Sequence, residues 1–245
     1  MADPFITLVR ELRAEVATVL REARRAGSGS LPAAKAVQRA LKATAGRWPG
    51  AARWACTSGC AWCCHNAVSV SAPEAFRLAH EVRTWPAARR EALERLLEER
   101  APHLASLALD QQAQERTRCA LLGEDGACGA YDARPLPCIG MVSLDAKACE
   151  QVSRAPGGST RIPVDRTWFS ISGAHNLALR LGSRDAGLSF VRYELHDALR
   201  VALGQPDAER RWLAGEDPFS ACRPDPTCVQ PDALAELEHL DRLTR

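Results

Sequence analysis

Apolar positions recur at helical spacing along most of this chain and lose that period in two places. From residues 3 to 25, Phe5, Val9, Leu12, Val16, Val19 and Leu20 fall on one stripe, which predicts an amphipathic helix ended by the Gly-Ser-Gly-Ser run at 27–30. Ser30 is placed to cap a second helix through Val37 and Leu41 to about Trp48. A third begins at Ser71-Ala72-Pro73-Glu74, where Ser71 and Glu74 have capping-box spacing and proline sits in the first turn. It turns Phe76, Ala79 and Val82 inward and breaks near Pro86. A further helix follows over 87–108 with a kink at Pro102. Shorter helices are expected at 143–152 and 170–181, a strong one at 188–203 and a last one at 233–243.

The two breaks in period are 49–70 and 117–137. The first carries cysteines, tryptophans and glycine without a repeat and reads as irregular chain. In the second, Arg118–Leu122 and Ala127–Tyr131 flank Gly-Glu-Asp-Gly and read as a small β-hairpin. Residues 155–163 read as a loop. The predicted architecture is mainly α: a helical body with two irregular cysteine-rich loops and a small hairpin that together form a metal site. Its segments are a helical N-terminal part (1–50), a cysteine-bearing core (51–155) and a helical C-terminal part (156–245), within one compact domain.

Composition changes this picture little. With 46% hydrophobic and 25% charged residues and a net charge of +2, the chain reads as an ordinary globular protein. Its basic residues are mostly arginine, lysine occurring only at 35, 42 and 147, and pairs such as Arg24-Arg25 and Arg89-Arg90 have acids nearby. They read as solvated helix faces and argue against a nucleic-acid partner, leaving a protein as the default macromolecular one. The N-terminal residues lack the apolar core of a secretory signal, and no stretch nears the ~20 apolar residues of a membrane span. A cytoplasmic location is the expectation.

In a reducing compartment, ten cysteines are better read as metal ligands or reactive thiols than as disulfides. Eight lie in one region: Cys56-x3-Cys60-x2-Cys63-Cys64, then Cys119, Cys128, Cys138 and Cys149. The Cys60-x2-Cys63 spacing lets two thiolates on a tight turn reach one ion, and it serves zinc and iron–sulfur clusters alike. Cys56 and Cys60, four apart, would share a face of one helical turn. Cys63 and Cys64 are different. Adjacent side chains diverge in any regular conformation, so the two serve separate metals, or one is a ligand and the other a spare thiol.

The double cysteine, followed by Cys128-Gly-Ala-Tyr131-x2-Arg134-Pro135-x2-Cys138, resembles the cysteine-cluster family of zinc- or iron-chelating domains (CxxCxxCC, YkgJ-like). The resemblance covers about residues 56–150. It implies a metal site of Cys56, Cys60, Cys63, Cys64, Cys128 and Cys138, with Cys119 and Cys149 where accessory cysteines occur. The cofactor it implies is zinc or iron, the iron as an ion or a 4Fe-4S cluster. Two departures stand out: the first gap is three residues where the family writes two, and Ile139 follows Cys138 where many relatives have arginine. A related group, the flagellin lysine N-methylases, suggests an iron–sulfur enzyme as the alternative function. A zinc-scaffolded interaction module is a third reading. Cys56-x3-Cys60-x-Trp62-Cys63 also fits the radical S-adenosylmethionine signature, but the alternating strands and helices such enzymes need do not follow it.

Residues beside the cysteines carry further expectations. Arg134 is a candidate for neutralising a thiolate. Tyr131 is expected to anchor the hairpin, Trp54 and Trp62 to shield the loop from water. His65 could substitute for a sulfur ligand, while His80, His103, His175, His196 and His239 read as structural, and Cys222 and Cys228 as outliers in a proline-rich loop.

Overall fold

The computed structural model describes residues 3–107, 111, 115–155 and 158–245. The first helix, α1 (Pro4–Ala26), is capped by Asp3, whose carboxylate accepts from the Phe5 N–H, and stops at Gly27 in the left-handed conformation. After α2 (Leu31–Gly46) the chain is irregular up to strand β1 (Ser69–Ser71), which feeds α3 (Ala72–Arg83). The expected capping box is present at the start of α3: Glu74 Oε2 accepts from the Ser71 N–H at 2.9 Å and from its hydroxyl at 2.6 Å. Phe76, Ala79 and Val82 are buried as the pattern requires. Then α4 (Ala87–Ser106) carries Pro102 inside it; its expected end at Ala108 lies outside the described residues, as do 156 and 157 of the expected loop at 155–163.

Beyond the second irregular block come α5 (Leu136–Gly140), α6 (Ala146–Arg154) and α7 (Arg166–Asp185). Strand β2 (Arg192–Glu194) leads into α8 (Leu195–Gly204), followed by α9 (Ala208–Leu213) and α10 (Pro231–Leu243). The molecule is thus mainly helical with a two-stranded antiparallel sheet, Ser69 opposite Glu194 and Ser71 opposite Arg192.

That sheet corrects the expectation for residues 188–203. The single helix expected at 188–203 is a strand followed by a helix. Residues 192–194 pair with β1, Glu194 N–H donates to the Arg223 carbonyl, and Asp225 N–H donates to that of Arg192. Long-range pairing outweighs the local apolar period, and the Glu194 carboxylate, accepting from Asp197 N–H, starts the helix only at Leu195. The hairpin expected at 118–131 has one ladder bridge, Leu122 with Cys128, flanked by hydrogen bonds from Gly123 N–H to the Ala127 carbonyl and from Gly129 N–H to that of Leu121. Ser30 also departs from expectation: its N–H and hydroxyl both donate to Glu209.

The main core draws on most of these elements. Phe76 stacks on Trp212 (6.0 Å) and Phe219 (5.2 Å), and Phe219 on Tyr193 (5.4 Å). A smaller cluster joins α1, α7 and α10 through Val9, Leu12, Leu177, Leu181 and Leu237. There α1 and α7 approach so closely that a Cβ on Gly182 would lie 2.6 Å from Val16 Cβ and 2.8 Å from the Arg13 carbonyl. No helix among the described residues is long and apolar enough to cross a membrane.

Candidate metal centre

Four stretches of chain carry the eight clustered cysteines, and backbone contacts bring them together. Ala55 N–H donates to the Ser143 carbonyl at 2.8 Å, and Ser143 N–H donates to Cys56 Sγ at 3.3 Å, so the first loop is clamped to the chain just before α6. Asp145 caps α6 by accepting from Lys147 and Ala148 N–H, which fixes the turn that carries Cys149. On the other side, Cys119 N–H donates to the Cys64 carbonyl at 2.8 Å. The two cysteine loops also touch at glycines: Gly126, with φ of +77°, comes so near Gly59 that a Cβ on it would be 2.9 Å from the Gly59 carbonyl oxygen. Cys138 sits on α5, whose first N–H, that of Leu136, donates to Glu74 Oε1 at 2.8 Å.

None of the ten cysteines is in a disulfide. The eight clustered thiols fall into two adjoining groups. Cys56 lies within electrostatic reach of Cys60, Cys63 and Cys149, and these four share a cavity with Trp62 and Arg116. Cys64 lies within reach of Cys119, Cys128 and Cys138, and Cys138 in turn within reach of Cys119, Cys128 and, across the seam, Cys63. Cys63 and Cys64, adjacent on a turn of 3-10 helix at Trp62–His65, form the seam. Their mutual interaction separates their acidities: Cys63 is pushed up, whereas Cys64 is lowered. Desolvation pushes Cys56 and Cys128 up, and Cys138 well above the ordinary thiol range.

Three guanidinium groups surround these thiols. Arg134 lies near Cys63, Cys128 and Cys138, stacks on the Tyr131 ring at 3.8 Å, and has a buried Nε without a partner. Arg89 lies near Cys128. Arg116 lies near Cys63 and Cys149, donating to Asn66 Oδ1 and to the Trp62 carbonyl. It is the one non-glycine residue with positive φ among those described (59°), a backbone state that a long side chain rarely adopts.

Tyr131 is not a buried hairpin anchor: it is 53% exposed, and its ring faces Arg134. Trp62 does line the cysteine cavity, but Trp54 stacks on Trp168 at 5.0 Å instead. His65 Nδ1 faces the Ala61 carbonyl at 3.2 Å. Cys222 and Cys228 are buried in the body of the fold, with Cys222 pushed up to about 12, chiefly by burial. One contact that the sequence gave no reason to expect involves His196, whose Nδ1 pairs with Glu194 at 2.8 Å while Nε2 accepts from Ala120 N–H at 3.1 Å.

Among the described residues, no group of three or more His, Cys, Asp or Glu side chains is arranged so as to hold a metal ion. The donor chemistry itself, all sulfur with cationic groups around it, suits zinc, iron–sulfur clusters or another soft ion and disfavours magnesium or calcium. No family model, curated protein or solved structure matches this chain.

Proposed function

We propose that this chain is a metal-binding protein that chelates zinc or iron, the iron as an ion or an iron–sulfur cluster, through Cys56, Cys60, Cys63, Cys64, Cys119, Cys128, Cys138 and Cys149. The observation that carries this reading is the gathering of eight free thiols from four separate stretches of chain, with three arginines around them. So many uncrosslinked thiols are a poor way to fill a core, since each is a weak hydrogen-bonding group and a small hydrophobe. Deprotonated and turned toward a shared ion, they would tie the irregular loops at 56–64 and 119–138 to one another. A structural zinc contributes on the order of 10–16 kcal/mol to coupled folding. The resemblance to the cysteine-cluster family supports the same reading.

Purification without oxygen followed by elemental analysis tests it. Bound zinc with no colour, or iron with broad near-ultraviolet and blue absorption, would each support the proposal and separate its two forms. Cys60→Ser and Cys138→Ser should each lower metal content, and Cys222→Ser should leave it unchanged. Full metal content in both of the first two variants would refute the ligand assignment.

A further inference from the structure

Eight thiols are twice what one tetrahedral ion accepts, and the chain does not present them as equals. We propose that the Cys63–Cys64 peptide divides them into two unequal sites: an accessible exchange site of Cys56, Cys60, Cys63 and Cys149, and an enclosed structural site of Cys64, Cys119, Cys128 and Cys138. This rests on the metal-binding reading above and goes beyond it by assigning stoichiometry, partition and role.

The partition follows from the seam. On a 3-10 turn, consecutive side chains leave the axis roughly 120° apart, so Cys63 and Cys64 face different neighbours. Cys63 joins Cys56, Cys60 and Cys149 at the cavity, and Cys64 joins the three thiols of the hairpin and α5. Arg116 stands beside the first group and Arg89 beside the second, while Arg134, near Cys63, Cys128 and Cys138, stands at the seam between them. Two divalent ions and three guanidinium groups would offset most of the charge of eight thiolates.

The difference in role follows from the surroundings. Cys56 is exposed, and its group opens into a cavity on a side made of loop and the short helix α6. Cys119 and Cys128 instead pack on the main hydrophobic cluster beside buried Leu121, Ala130 and Leu136. The buried His196–Glu194 pair lies directly behind the Cys119–Ala120 backbone. An ion there would join the hairpin, α5 and the seam, and could leave only if those parts separated.

The test uses the full chain loaded with Zn2+, with elemental analysis for stoichiometry and a chromophoric chelator for release. The expected result is two zinc ions per chain, leaving in two equal phases that differ by roughly tenfold or more in rate. Cys60→Ser and Cys149→Ser should each abolish the fast phase, keep one slowly released ion, and barely move the thermal midpoint. Cys128→Ser should remove the slow phase and lower that midpoint; because it can also prevent folding, the first two variants decide by themselves. One zinc per chain, release of both ions in a single phase, or loss of both ions from Cys149→Ser would overturn the two-site inference while leaving metal binding standing. A folded chain that takes up neither zinc nor iron would overturn both.

Discussion

Replacing Glu74 with alanine should cost far more than the loss of a helix cap. The carboxylate is 1% exposed and accepts three hydrogen bonds, two from Ser71 at the start of α3 and one from Leu136 N–H at the start of α5. Hydrogen bonds to a charged group contribute about 1.5–3 kcal/mol each, and a buried donor left without an acceptor costs about 1–3 kcal/mol. In Glu74→Ala the Ser71 and Leu136 N–H groups lose their partner together, while the Ser71 hydroxyl can rotate to another acceptor. The expected destabilisation is therefore about 3–5 kcal/mol, well above the ~1 kcal/mol expected of Ser71→Ala as an ordinary cap substitution. Glu74→Gln keeps one oxygen and can serve one side only, so it should fall between them. Urea unfolding followed by far-ultraviolet circular dichroism measures all three. Because Leu136 lies two residues before Cys138, Glu74→Ala should also weaken zinc retention. A loss below about 1 kcal/mol, or a Glu74→Ala effect no larger than that of Ser71→Ala, would show that the carboxylate does not link the two elements.

Other perturbations have definite signs. Gly126→Ala puts a side chain on a positive-φ residue that a Cβ would bring 2.9 Å from the Gly59 carbonyl oxygen; it should destabilise by about 1–3 kcal/mol, read as a lower thermal midpoint together with weaker zinc binding. Asp241 is buried, which opposes ionisation, yet its pairs with Arg245, Arg184 and Arg13 outweigh this and hold its pKa below 3.8. Its contribution is then fully present above the ordinary aspartate range and is lost as pH falls through the lowered folded value; Asp241→Asn should flatten that acid limb in a pH series of urea midpoints, and an unchanged limb would count against the ion network. With Cys56, Cys63, Cys128 and Cys138 pushed up, these thiols are protonated near neutrality. Zinc uptake should release protons and strengthen as pH rises, measurable by calorimetry in buffers of different ionisation enthalpy; uptake without proton release would exclude these thiols as ligands.

How far the sequence reaches depends on whether a signal is local. Helices α1 and α3 follow from apolar stripes and the signals at their ends, because both lie within one segment. Strands β1 and β2 were missed because three residues are too few for a period-two pattern, and Tyr193 between Val191 and Leu195 suits a helix equally well; only pairing with a segment more than a hundred residues away decides it. The α9 turn was missed for its shortness. At the candidate site, the divergence of Cys63 and Cys64 was legible from backbone geometry alone, but their partners were not. Arg116 and His196 carried no readable signal, since each reaches the cysteine-bearing loops from a segment with no cysteine pattern of its own.

The two strand–helix units explain why so irregular a region can sit on a helical body. Each unit ends its strand at the start of a helix, and each places a buried carboxylate there: Glu74 in the first turn of α3, Glu194 at the cap of α8. Both carboxylates satisfy their own helix and still have an oxygen to spare. Glu74 uses it on Leu136 N–H, and Glu194 reaches Ala120 N–H through His196. The residues so contacted stand next to or near Cys138 and Cys119. A buried carboxylate costs several kcal/mol in desolvation unless its lone pairs are used, so each cap is satisfied only when a cysteine-bearing segment is docked against it. The helical frame and the hairpin side of the thiol cluster are therefore coupled through two polar contacts. The Cys56 and Cys149 side, clamped mainly by Ser143, lies outside that coupling.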